Sequence, residues 1–280
     1  MRKIAILLAL TLVTALSAFG QAHIFTKKYK LADFTSKVTK VVLTGSDFTD
    51  ALLREEVMRR WTLSPYEFCT QEEFARLRSD DNYYFLAILS GQFRTETAPG
   101  LDMISVLKGG AEELDDLFEV VSLPFAAAEE SSGRESLYFG PMIDVIQTQI
   151  RRSMDSDVRG YLGIPQTIRI SRDTKDKTIL FSATDLSADV TEVQRRKYFD
   201  EDVRVLDEDV VDGIFSDGTR SMTLVSYVVA PTLPVSGSYC YKMLFDVETG
   251  ELVYYRRHKI TSRTPAGFLV EDIKRIVAPR

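Results

Sequence analysis

The sequence predicts an α/β (α+β) protein made of two similar mixed-sheet lobes joined by a helical connector. Three observations predict it. Strand-like and helix-like apolar periods alternate along the chain, the pattern from Lys40 to Asp80 recurs from Lys177 to Asp217, and a stretch with a helix of its own separates the two. The 280 residues allow one large domain or two ordinary ones. With 45% hydrophobic and 27% charged residues, 15 Gly and 9 Pro, disordered, collagen-like and multi-span membrane classes are excluded. A formal charge of -6 without a basic domain argues against nucleic acid as a partner, because phosphate neutralisation needs clustered Lys and Arg.

Arg2 and Lys3 precede an apolar run from Ile4 to Leu16, and Ala18-Phe19-Gly20 presents the small residues of a cleavage site. Residues 1–20 are therefore expected to be a secretory signal peptide cleaved near Gly20. The apolar run is about 13 residues, short of the roughly 20 that span a bilayer. No Cys follows it to accept a lipid, so a lipoprotein is not expected. The mature chain should carry no transmembrane span and reside in the periplasm or the peripheral cell envelope.

The first lobe is assigned to residues 21–123. Lys40 to Leu43 reads as a strand, and Ser46 or Asp47 can cap a helix running to about Trp61. Tyr66 to Phe68 alternates as a second strand, and Thr70-Gln-Glu-Glu73 has the capping-box pattern before a short helix with Phe74 and Leu77. Tyr83 to Leu89 and Leu101 to Leu107 read as a hairpin interrupted by Ala98-Pro99-Gly100. Leu114, Leu117, Phe118 and Val121 then have helical spacing. Residues 124–165 are taken as the connector: an exposed stretch from Pro124 to Glu135, a helix bearing Ile143, Ile146 and Ile150, and a break at Gly160 to Pro165.

The second lobe, residues 166–280, repeats the first at an offset of 137 without a gap from Lys40 to Asp80. Lys177 to Leu180 answers Lys40 to Leu43, Arg196 answers Arg59, Tyr198 answers Trp61, and Ser216-Asp217 answers Ser79-Asp80. The hairpin returns as Tyr239 to Val247 and Leu252 to Ile260 around Glu248-Thr249-Gly250, and a closing helix is expected with Thr264 as N-cap and Pro265 at its first position.

This element order, with Tyr66-Glu-Phe-Cys-Thr-Gln-Glu-Glu-Phe74, resembles the α/β domain at the amino end of the Tol-Pal translocation protein B and in curli-secretion-channel subunits, over about forty residues per copy. The whole chain resembles the uncharacterised secreted proteins common in Bacteroidetes. The resemblance implies envelope assembly and protein contact, and carries over no activity.

Residues that could do chemistry are sparse. Of two His, His23 lies near the expected new N-terminus and His258 sits in Arg256-Arg257-His258-Lys259, where alternation places Arg256 and His258 on one strand face and Arg257 and Lys259 on the other. That run is a candidate anion or partner contact, or a charged sheet end that discourages edge pairing. No G-x-S-x-G occurs, no Cys and His cluster suggests a metal, and Lys108-Gly109-Gly110 is followed by Glu112 and Glu113 where a phosphate loop needs an open helix N-terminus. Catalytic, cofactor and metal residues are therefore not assigned. Cys69 and Cys240 sit in apolar strand-like contexts and read as buried thiols, with a disulfide as the alternative in an oxidising compartment. The leading expectation is a non-enzymatic exported protein that binds an envelope protein or associates with itself. The alternatives are a glycan or peptide hydrolase using acidic residues in an interlobe cleft, and a small-ligand binder.

Overall fold

The computed structural model describes residues 31–128, 132–171, 174 and 176–277. The expected signal peptide, its cleavage site and His23 lie outside them. Among the described residues no helix is long and apolar enough to cross a membrane.

In the first lobe, β1 (Val38–Val42) leads into α1 (Asp47–Arg60), β2 (Tyr66–Cys69), α2 (Gln71–Leu77), β3 (Tyr83–Gly91), β4 (Leu101–Lys108), β5 (Phe118–Ala127) and the long α3 (Glu135–Asp155), with the short α4 (Asp157–Leu162) after it. The second lobe follows the same order: β6 (Thr178–Ser182), α5 (Glu192–Tyr198), β7 (Val203–Leu206), α6 (Glu208–Asp217), β8 (Thr223–Val229), β9 (Tyr239–Asp246), β10 (Leu252–Lys259) and α7 (Val270–Val277). The sheets run β2-β1-β3-β4-β5 and β7-β6-β8-β9-β10, each with two parallel and two antiparallel pairings in the same places. Two like lobes are thus present, as the repeat predicted.

Local chemistry explains the elements read correctly. The Ser46 side chain accepts from the Thr49 N–H to open α1. Thr70 and Glu73 form both halves of the capping box at α2. Trp61 is buried, its indole N–H donating to Ser64 Oγ at 3.1 Å.

Four readings are corrected. The expected helix over Leu114 to Val121 is a single 3-10 turn at Leu114–Asp116 followed by β5. β-branched Val120 and Val121, buried alongside Leu123 and Phe125, suit a strand, and Pro124 is tolerated because β5 is an edge strand with no neighbour needing its missing N–H. Pro124 to Ala127 is therefore sheet rather than exposed connection. Second, α3 is the closing helix of the first lobe, the counterpart of α7. Third, the repeat is not ungapped: β2 and β7 match at an offset of 137, but the register Thr39 to Tyr66 against Ile179 to Val203 aligns β1 with β6 at 140. The hairpin of the second lobe likewise answers β4 and β5, while β8 answers β3. Fourth, the last helix starts at Val270, not at Thr264 and Pro265; Asp272 Oδ2 accepts the Leu269 N–H at 3.0 Å, and Thr264 is held in a tight turn with Thr261.

Alternation along the strands resolves three cores. Val42, Cys69, Phe85 and Leu107 pack with Phe74 of α2 on one face of the first sheet. Val41, Tyr84 and Leu86 on its other face pack with α1 and α3, and the same core continues into Leu180, Val225, Met243 and Phe245 of the second sheet with Val211 and Phe215 of α6. Ile179, Phe181, Leu224 and Tyr254 on the far face pack with Ile273 and Ile276 of α7, and partly buried Tyr198 of α5 borders them. In each lobe the first and third helices cover one face and the second helix the other. The lobes consequently stack front to back, with α3 between two sheets; Tyr138 on α3 stacks on Phe215 and Tyr227 with ring centroids 4.5 and 4.1 Å away.

Gly140 on α3 sits where α1 comes closest. A Cβ there would collide with the Glu56 carboxylate and lie 2.5 Å from Arg60 Nε. Arg60 bridges Glu56 at 2.7 Å and Asp144 at 2.5 Å, so neither side chain can swing away without breaking an ion pair. Gly140→Ala, which elsewhere in a helix would add about 1 kcal/mol, is expected here to lower stability by about 1–2 kcal/mol, read as a lower denaturant midpoint.

Candidate functional site

The densest polar cluster lies where the start of α3 meets the second lobe. Gly133 at φ 81 turns the chain into the helix, and the Glu135 carboxylate accepts from Ser132 Oγ at 3.1 Å and the Gly133 N–H at 3.3 Å. This fixes Arg134 between them, aimed across the lobe boundary. Its Nη1 and Nη2 donate to the two oxygens of Asp185 at 2.8 and 3.1 Å, and Nε contacts both oxygens of Asp212 at 2.9 Å. Nη2 also reaches the Ser226 carbonyl at 2.9 Å, and Glu208 Oε2 lies 3.4 Å from Nη1. The guanidinium stands over the rings of Tyr138 and Tyr227 at 5.7 and 5.2 Å.

Each partner is supplied by a different element. Asp185 ends the 3-10 turn after β6 and accepts from Ser226 Oγ at 2.5 Å, Asp212 and Glu208 project from α6, and Ser226 belongs to β8. Four of its five N–H groups are hydrogen-bonded and the fifth, on Nη1, faces the Glu208 carboxylate, so the guanidinium is committed to the protein's own acceptors. Burial opposes its charge, but the Asp185 and Asp212 carboxylates outweigh that and raise its pKa further. Burial lifts the Asp212 carboxyl above the ordinary carboxylate value, with Arg134 pulling against it. Beside the cluster opens a cleft of about 650 Å³, lined among others by Glu135, Thr184, Asp185, Glu208 and Tyr227. Three carboxylates around one guanidinium leave its charge negative.

The charged run on β10 is split by the sheet as alternation required. Arg256 and His258 face α7, where Asp272 receives Lys242 at 2.5 Å, the Tyr254 hydroxyl at 2.8 Å and Arg256 at 3.6 Å. His258 Nε2 meets the Pro265 carbonyl at 2.8 Å, and burial, then Lys242, lower its pKa, so it is neutral near pH 7. Arg257 and Lys259 lie over Tyr239 on the opposite face, at 4.9 and 5.7 Å from the ring centre. The four residues do not converge on one anion. The β10 edge is also occupied: Tyr255 O accepts the Thr167 N–H, and Thr167 Oγ1 accepts the Tyr255 N–H.

Cys69 and Cys240 are free and buried, in different sheets. Burial pushes their thiols up to about 11 and about 12, which removes the thiolate a nucleophile needs. Among the described residues no group of three or more His, Cys, Asp or Glu side chains is placed to hold a metal ion. Among the exposed apolar side chains, Val158 and Leu162 share a face of α4 at 66% and 67% exposure, and Ile168 follows at 76%.

Reasoning from sequence missed Arg134, Asp185 and Asp212 because they are distant along the chain and each stands in an ordinary polar context. No protein-family model, curated protein or solved structure matches the chain.

Proposed function

We propose that the chain is an exported envelope protein that acts by binding a protein partner rather than by catalysis. One observation carries the reading: Arg134 and the carboxylates around it are spent on one another, whereas Val158 and Leu162 of α4 and Ile168 after it stand in water. An apolar helix face with a polar surround is the kind of surface a partner groove or helix covers. The resemblance to envelope-assembly domains points the same way.

The test is retention of a partner from envelope extracts by the wild type and by Val158→Glu with Leu162→Glu. Both side chains are exposed, so melting should stay within about 1 °C while the retained partner is lost. Retention unchanged by the two charges, or no retained protein at all, removes the reading.

The cleft of about 650 Å³ supports a second reading, a small-ligand site or a hydrolase of glycans or peptides, with Glu135, Asp185 and Glu208 on its wall. Turnover of such substrates that disappears in Glu208→Gln would put it first.

A further inference from the structure

We infer that the protein associates with copies of itself in a head-to-tail array through the two outer faces of its stacked lobes. The contact inside one chain supplies the template. There the face of the second lobe carrying α6 lies against the face of the first lobe carrying α1 and α3. Each face has a counterpart that this contact leaves over: the α2 face of the first lobe corresponds to the covered α6 face, and the α5 and α7 face of the second corresponds to the covering α1 and α3 face. One copy can therefore offer its α5 and α7 face to the α2 face of the next.

The helices on these faces carry opposite excess charge. On and beside α2 the exposed side chains include Glu72, Glu73, Glu112, Glu113, Asp115 and Asp116, with exposed Leu114 among them. Leu117, which follows that acidic run, is buried in the same core as Phe74 of α2 and so holds the run on this face. On the helices of the other outer face Arg196 pairs with Glu192 and Arg275 with Glu271, which leaves Lys197 and Lys274, both 5.3 Å from the Tyr198 ring centre, and Arg195 as the excess cations of α5 and α7, with exposed Asp189, Asp200 and Glu201 in the loops that flank α5. Val193 of α5 stands 71% exposed beside them. An acidic face at one end of the chain and two helices with excess cations at the other favour unlike ends meeting and oppose like ends. Such a contact is heterologous, so it grows into an array or closes a ring larger than a dimer. It uses neither Val158 nor Leu162 and goes beyond the partner-binding reading.

Sedimentation of the mature chain tests it. At low salt the average mass should rise with protein concentration past that of a dimer, and at about 1 M salt, where the screening length is about 3 Å, it should fall to the monomer. Glu112→Lys with Glu113→Lys removes most of the net charge of the acidic face, leaving four carboxylates against two ammonium groups, and Lys197→Glu with Lys274→Glu makes both faces acidic. Each variant alone should weaken association by at least about tenfold, and an equal mixture of the two should restore it. All four residues are exposed, so unchanged melting separates this result from misfolding. A monomer under every condition, a plateau at the dimer, or association indifferent to both reversals overturns the inference. None of these outcomes touches the connector test.

Discussion

Replacing Arg134 with methionine is expected to lower the unfolding free energy by about 3–5 kcal/mol, a substantial part of the stability of an ordinary domain. Among the described residues no other cation forms an ion pair with Asp185 or Asp212, and both carboxylates are largely withdrawn from water. Removing the guanidinium strands two largely buried anions together with the Ser226 carbonyl. Arg134→Lys should recover only part of the loss, because an ammonium is a point charge without the planar fork that meets Asp185 through two parallel bonds. Adding Asp185→Asn and Asp212→Asn to Arg134→Met should restore more than half, since the cost lies in the unpaired charges. Equilibrium denaturation of the four proteins decides it; an Arg134→Met variant within about 1 kcal/mol of the wild type would show that the cluster is hydrated.

The second large effect is expected at Glu119, where removing a charge should stabilise the protein. Glu119 lies on the edge strand β5 opposite Leu107, and its Oε1 is buried without a hydrogen-bond partner among the described residues. Burial pushes its carboxyl up from 4.5 to about 7, with Ser122 pulling the other way. Between those values the folded chain keeps a proton that the unfolded chain has released, so stability is greatest below about pH 4.5 and is lost as pH rises toward 7. At about 1.36 kcal/mol per unit the loss amounts to about 3 kcal/mol. Glu119→Gln should therefore be more stable than the wild type by about 2–3 kcal/mol at pH 8 and indistinguishable from it near pH 4. Parallel stability curves across that range would show that the carboxylate is solvated.

Where local chemistry decided structure, the sequence was legible. Ser46, the Thr70 and Glu73 box, and the alternation through Tyr239 to Phe245 each fix their element by short-range bonds or by a period of two. Val121 shows the opposite case. Its spacing from Leu114, Leu117 and Phe118 satisfies a helix, but the edge of a sheet was there to pair with, and pairing decided the outcome. β8 was missed because its run from Thr223 to Val229 is nearly all apolar and carries no alternation, whereas the equally buried β9 sets Lys242 and Asp246 between its apolar residues. The Arg134 cluster could not be read at all, because its members lie 51 and 78 positions apart along the chain and only the stacking of the lobes brings them together. The split of Arg256 and His258 from Arg257 and Lys259 was readable from alternation alone; what each half would meet was not.

The position of α3 between two sheets has a consequence for biosynthesis. A ribosome adds about 5–20 residues per second, so roughly a hundred residues separate the emergence of Tyr138 from that of Phe245, an interval on the order of ten seconds. During it the nascent amino-terminal half can close over one flank of this helix while the other flank, with Tyr138 at its head, has nothing to lie against. Until the last strands arrive, that flank is the natural place for a chaperone to hold.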